Sequence, residues 1–130
     1  MTATTEVNTI ATTFINVVFM KSTFLRFLHL KEVLSGHQVE AEIDLTAQKL
    51  LEVVCLRHYQ QKPLTVSEAM QLQSIASPAT LHRKLSALLE HGYVQFVFEG
   101  TNRRTKYIHP TAKTDAYFEA LGQVLQQSLA

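Results

Sequence analysis

Cysteine is nearly missing from this chain: Cys55 stands alone among 130 residues. That excludes a disulfide framework, which needs pairs and an oxidising compartment. Long hydrophobic runs are missing too. The most apolar stretch, Phe14 to Met20, is broken by Lys21, Arg26 and Lys31, well short of the roughly 18 apolar residues of a membrane span. The opening residues MTATTEVNTI carry no basic segment ahead of an apolar one, so no secretory signal is expected and the expected compartment is the cytoplasm, without a membrane partner. Neither sign of charge is in excess: 12 Lys and Arg face 11 Asp and Glu, a net charge of +1. No Ser-His-Asp order, carboxylate pair or glycine-rich phosphate loop is recognisable, so no catalytic residue and no cofactor is expected. The six histidines, His29, His37, His58, His82, His91 and His109, form no close ligand pair and have no cysteine cluster beside them, so no metal site is expected.

What is present is concentrated between Ser77 and Thr111. Ser77 suits a helix N-cap and Pro78 the first helical turn, where a missing amide hydrogen costs nothing. Leu81, Leu85, Leu88 and Leu89 fall at i, i+4, i+7 and i+8, an apolar stripe that must face a core. Gly92 ends the helix. Its other face carries Ala79, His82, Arg83 and Ser86, flanked by Thr80 and Lys84, with no carboxylate before Glu90. Residues Tyr93 to Glu99 then alternate as a strand, Glu99-Gly100-Thr101-Asn102 supplies turn chemistry, and Lys106 to His109 returns as a second strand closed by Pro110 and Thr111. Arg103, Arg104 and Lys106 sit at the hairpin's far end.

This pattern is that of a winged helix-turn-helix, which predicts a mainly α fold with a small β-hairpin wing. Its chemistry suits double-stranded DNA. Small residues let helix 78–91 sink into the major groove, where Arg83 can pair bidentately with a guanine edge and Ser77, Ala79, Thr80, His82 and Ser86 adjoin bases or phosphates. The wing, residues 99–106, would bring Arg103, Arg104 and Lys106 to the minor groove. The charge distribution agrees. Residues 79 to 113 hold six cations (Arg83, Lys84, Arg103, Arg104, Lys106, Lys113) against Glu90 and Glu99, a balance of +4, whereas residues 1 to 60 hold five cations against six acids, a balance of −1. A basic face on a nearly neutral chain is the footprint of a site-specific binder.

The stretch SPATLHRKLSALLEHGYV resembles the recognition helix, with its Leu-rich and Gly-terminated end, of the MarR family of dimeric bacterial transcription regulators, and NRRTKYIHPT resembles that family's wing motif. The resemblance implies that Arg104 is the wing arginine that contacts DNA, with Arg103 its neighbour. Three positions differ. Asn102 stands where the family favours Asp, Thr114 where a Gly usually follows the wing, and LQSIA at Leu72 to Ala76 lacks the family's Leu-Gly turn.

The rest of the chain divides around this module. Residues 1–11 are a Thr-rich tail expected to be flexible. Residues 12–43 hold an N-terminal helix and a loop; FINVVFM reads as strand or helix, while FLRFLHLKEVL reads as helix. Residues 44–111 form the winged module, with Asp44 or Thr46 capping a helix through Tyr59, Leu64 to Val66 offering a third strand, and Ser67 with Glu68 starting the first helix of the helix-turn-helix. Residues 112–130 form a last helix. The apolar surplus of the two terminal helices, at Phe14, Val17, Val18, Phe24, Leu28, Phe118, Leu121 and Leu125, predicts a homodimer interface. The bland alternative is that the N-terminal helix only covers its own domain. A dimer sets two recognition helices one DNA turn apart, about 10 base pairs.

Among Val53, Val54 and Leu56, Cys55 reads as an inert core thiol rather than a redox sensor. The leading functional expectation is a transcriptional regulator, a repressor by preference, with a small-molecule effector as a further partner. The alternative is a winged-helix protein-association adaptor in a replication or plasmid-maintenance complex.

Overall fold

One short polar side chain starts each central helix. In the computed structural model, which describes residues 13, 20–34 and 39–129, residues 20–34 form helix α1 and Val39–Glu42 a single turn, α2. The tail and Phe14, Val17 and Val18 lie outside the described residues. Asp44, not Thr46, caps α3 (Leu45–Tyr59), its carboxylate accepting the Ala47 amide at 2.9 Å. Thr65 caps α4 (Val66–Ala69) through a capping box in which the Glu68 amide donates to Thr65 Oγ1 and the Thr65 amide to the Glu68 carboxylate. That reciprocal pair starts the helix before Ser67, the start expected from sequence. Ser77 caps α5 (Pro78–Glu90), with Pro78 in the first turn. Each such cap contributes about 1 kcal/mol.

Strands β1 (Val94–Val97) and β2 (Tyr107–Pro110) pair antiparallel, Val94 opposite Pro110 and Val97 opposite Tyr107. Both differ from the expected bounds. Tyr93 is claimed on the helix side, its amide donating to Leu88 O at 2.9 Å and its carbonyl accepting the buried Thr114 hydroxyl at 2.6 Å. Phe98, Glu99 and Lys106 leave the ladder because the intervening loop is broad: Gly100 takes φ +60° and Asn102 Oδ1 accepts the Arg104 amide at 2.9 Å. The expected third strand is reduced to one bridge, Thr65 to Tyr107, because α4 takes over the backbone at Val66.

Leu50, Leu51 and Val54 of α3, Leu81, Leu85 and Leu88 of α5, and Tyr93, Val94 and Ile108 form the core, each 3% exposed or less. Leu89 does not join it: it is 42% exposed. Eight residues on from Leu81 a helix has turned about 80° past the starting direction, which puts Leu89 on the margin of the stripe. Helix α6 (Ala112–Ser128) follows the wing.

The described residues pack as two compact units, one within residues 36–119 and the other within residues 1–35 and 120–130. In the second, Val124 and Ser128 are buried, Phe24 and Phe27 bring their rings to 6.3 Å, and Phe24, Leu25, Leu28 and Leu125 remain exposed.

Helices α3 and α5 end alike, with different residues at the turn. After α5, Gly92 at φ +77° donates to Leu89 O and Tyr93 donates to Leu88 O; after α3, Gln61 at φ +63° donates to His58 O and Lys62 to Arg57 O. Both are left-handed helix ends, and a side chain there costs roughly 1–2 kcal/mol. Gln61→Gly is therefore expected to raise stability by up to about 1 kcal/mol, after the greater unfolded-state entropy of glycine is deducted. A urea titration reads this as a higher midpoint at unchanged slope; a lower midpoint would mean that the Gln61 side chain makes a stabilising contact outweighing its backbone cost.

Candidate nucleic-acid interface

The exposed face of α5 is built from the residues that the core leaves over. Ala79, His82, Arg83 and Ser86 recur at i, i+3, i+4 and i+7, opposite Leu81, Leu85 and Leu88, and all four are exposed. Ser77 and Thr80 close the first turn: Ser77 Oγ accepts the Thr80 amide at 3.3 Å and donates to Thr80 Oγ1 at 3.1 Å. Arg83 Nη2 reaches back to Thr80 Oγ1 at 3.4 Å, a long contact, and Ser86 Oγ donates to His82 O at 2.9 Å. Capping thus occupies Ser77, whereas the guanidinium of Arg83 keeps most of its donors.

The two arginines of the wing part company. Arg103 lies over the Phe98 ring, 5.6 Å from its centre, while Arg104, its amide held by Asn102, faces the start of α4. Lys106 lies 5.9 Å from the centre of the Phe96 ring. Arg103, Arg104 and Lys106 are all exposed.

Of the six cations between residues 79 and 113, the structure withdraws two. Lys84 is bound to Asp44, and Lys113 donates to Glu42 Oε2 at 2.8 Å and to His91 O at 2.9 Å. Tyr93 OH donates to the same Glu42 carboxylate, and the Lys113 ammonium sits 4.3 Å from the Tyr93 ring centre. The hydrogen bond from Lys113, then that from Tyr93, hold the Glu42 carboxyl below its ordinary pKa; Lys84, then the Ala47 amide, do the same for Asp44. Burial first, and the neighbouring Glu42 second, push the Tyr93 hydroxyl up. These clamps tie α2 and the α3 cap to α5 and α6. They join residues 40 to 71 positions apart, for which no local sequence signal exists. Among the described residues, Arg83, Arg103, Arg104 and Lys106 have no acidic partner, and these are the cations that the sequence assigns to the helix face and the wing.

His109 turns inward: β2 leans on α3, so the imidazole meets His58 edge-on at 4.7 Å and its buried Nε2 has no hydrogen-bond partner among the described residues, with Glu99 Oε1 3.7 Å away. His82, by contrast, is presented outward. Thr114, where the related pattern has a glycine, is fully buried and ties α6 to the Tyr93 carbonyl.

Cys55 is 8% exposed, and burial, reinforced by the charge of Asp115, pushes its thiol up to about 12. It stays protonated near neutrality and is a poor nucleophile. It lines a shallow apolar groove of about 290 Å³ with Glu52, Leu56, Tyr59 and Phe118. Phe118 also packs against the core cluster, and Leu121 is half-buried. Among the described residues no three His, Cys, Asp or Glu side chains are grouped so as to hold a metal, and no helix is long and apolar enough to cross a membrane.

In sequence, no family model and no curated protein matches the chain. Solved structures do match. The transcriptional regulator Tm0710 from Thermotoga maritima aligns with a TM-score of 0.58 at 16% identity, over 87% of this chain and 73% of that one. RV1404 from Mycobacterium tuberculosis aligns with a TM-score of 0.55 at 14% identity, over 96% and 76%. FabT from Streptococcus pneumoniae, solved in complex with DNA, aligns with a TM-score of 0.51 at 18% identity, over 95% and 76%. At such identities the likeness is one of fold. The class it defines, with the capped α5 and the hairpin after it, is the winged helix-turn-helix. Within that class the fold is shared with the transcriptional regulator Tm0710.

Proposed function

We propose that the protein is a homodimeric, sequence-specific regulator of transcription, acting as a repressor by occupying double-stranded DNA. Helix α5 enters the major groove with Arg83 reading a base edge and Ala79, Thr80, His82 and Ser86 against the groove wall; the wing brings Arg103, Arg104 and Lys106 to the minor groove and its phosphates. One observation carries this reading. The cations of the 79–113 segment that find no acidic partner among the described residues are those on the outer face of α5 and on the wing, and both belong to one compact unit.

Dimerisation is supported by the apolar residues left in contact with water. Phe24 is 58% exposed, Val33 62% and Leu125 53%, a surplus that a soluble monomer seldom tolerates in one region. Two copies would place two α5 helices on successive major grooves, which a single module of this size needs for discrimination. A small apolar effector has a place to act in the groove beside Tyr59 and Phe118, biasing the spacing of the two helices through different affinities for the competent and incompetent arrangements.

Fluorescence anisotropy on the gene's own upstream duplex and on a scrambled duplex, over a salt series, tests the reading, with sedimentation equilibrium for the dimer. The expected result is a dimer that prefers the upstream duplex, with affinity falling linearly in log salt at a slope of about −0.9 per phosphate contacted. Absence of salt-dependent binding to either duplex would refute it.

A further inference from the structure

Between the start of α4 and the returning arm of the wing lies a cleft of about 420 Å³. It is lined by Thr65, Ser67 and Thr105, which carry hydroxyls, by the cationic Arg104 and Lys106, and by Phe96. Among the described residues no carboxylate lines it. The nearby Glu68 is turned to the Thr65 amide at 3.0 Å by the capping box.

The two walls are tied together. The Val66 amide donates to Lys106 O at 3.2 Å, the Ile108 amide donates to Leu64 O at 2.8 Å, and Thr65 bridges to Tyr107. Above, Asn102 fixes the approach of the wing, accepting the Arg104 amide and donating to Thr105 Oγ1 at 3.3 Å. The backbone under Lys106 and Ser67 is thereby held before any ligand arrives, and a pre-formed site loses less entropy on binding.

We propose that this cleft is the seat of one backbone phosphodiester of the bound duplex, gripped by Lys106 and Ser67 with Arg104 at its rim. The inference rests on the DNA-binding reading and adds to the wing cations Ser67, which in the sequence signals only a helix start. The chemistry is that of a phosphate: point-charge and hydroxyl donors without an acid, in a recess many times the roughly 30 Å³ share of a water molecule. A diester fits better than a free phosphate because the cleft is partly open to solvent and its lining includes the exposed side chains of Ser67, Arg104 and Lys106, so the chain of the nucleic acid can enter and leave it. The contact positions the wing and carries no base preference.

Duplexes in which single phosphates are replaced one at a time by neutral methylphosphonates test the assignment. With the wild-type protein one position beside the wing is expected to lose about tenfold in affinity, the value of one charge-assisted contact. In Lys106→Ala and Ser67→Ala that position loses its effect, and the Lys106→Ala salt slope falls by about one; Arg83→Ala keeps the effect. Both variants alter exposed side chains, so circular dichroism should show them folded. If the unmodified duplex binds but no methylphosphonate position is coupled to Lys106, the seat is refuted while the DNA-binding reading stands. If inorganic phosphate shifts the Ser67 and Lys106 amide resonances and no methylphosphonate matters, the cleft takes a free phosphate and the diester assignment falls. Failure of the wild type on every duplex removes both readings.

Discussion

Leu81→Ala is expected to destabilise the protein by about 2–5 kcal/mol, whereas Leu89→Ala, eight residues further along the same helix, costs under about 1 kcal/mol. The two residues are chemically identical and belong to one sequence stripe, so the contrast isolates position. Leu81 is fully buried in the shared core, and its truncation leaves a cavity that neighbours on α3, α5 and the wing ribbon cannot collapse into without moving. Leu89 is 42% exposed and loses only contact area. Urea unfolding followed by circular dichroism measures both. Equal losses would mean that α5 is rotated relative to the core, and the outward set of Ala79, His82, Arg83 and Ser86 would then be wrong as well.

That dependence of the outer face on the inner one explains what was legible in the sequence. The strong local signals all resolved into structure: the Ser77 cap, Pro78 at the first turn, the leucines at helical spacing and Gly92 with a left-handed φ. They fix α5 and, by exclusion, the residues it turns outward. The wing was legible as an element but not in its bounds. The alternation of Tyr93 to Glu99 is a property of side chains, whereas the strand ends were decided by backbone partners elsewhere, the Leu88 carbonyl for the Tyr93 amide and the Thr114 hydroxyl for its carbonyl.

Pairing between distant residues was illegible. A charge sum over residues 79 to 113 counts Lys84 and Lys113 as free, but the acids that hold them, Asp44 and Glu42, lie 40 and 71 positions away. The sum therefore overstates the number of cations without an acidic partner. The same reasoning explains His109. In an isolated ribbon its side chain would face solvent, but α3 supplies His58 on that side, and nothing in the alternation of β2 announces a helix behind it. The cleft beside α4 was hidden for a related cause, since its hydroxyls and cations come from two segments that meet only through the Val66 to Lys106 hydrogen bond.

Arg83→Ala is expected to cost about 1–3 kcal/mol of preference for the operator half-site over a scrambled one, the value of a bidentate base contact, while non-specific affinity falls far less. The reason lies in how the side chain is held. Its one side-chain hydrogen bond among the described residues, to Thr80 Oγ1 at 3.4 Å, sits at the long end of the range and involves one nitrogen of the guanidinium. Exchanging it for a guanine edge loses little and uses a fork that the helix cap at Ser77 and Thr80 has already oriented. Lysine keeps the charge but not the fork, so Arg83→Lys is expected to restore the salt slope without restoring the preference. Anisotropy titrations on operator and scrambled duplexes at two salt concentrations separate the cases. Equal losses on both duplexes for alanine, recovered by lysine, would make Arg83 a phosphate contact and move base reading to His82 and Ser86 on the same face. No loss on either would mean that this face of α5 does not meet the duplex at all.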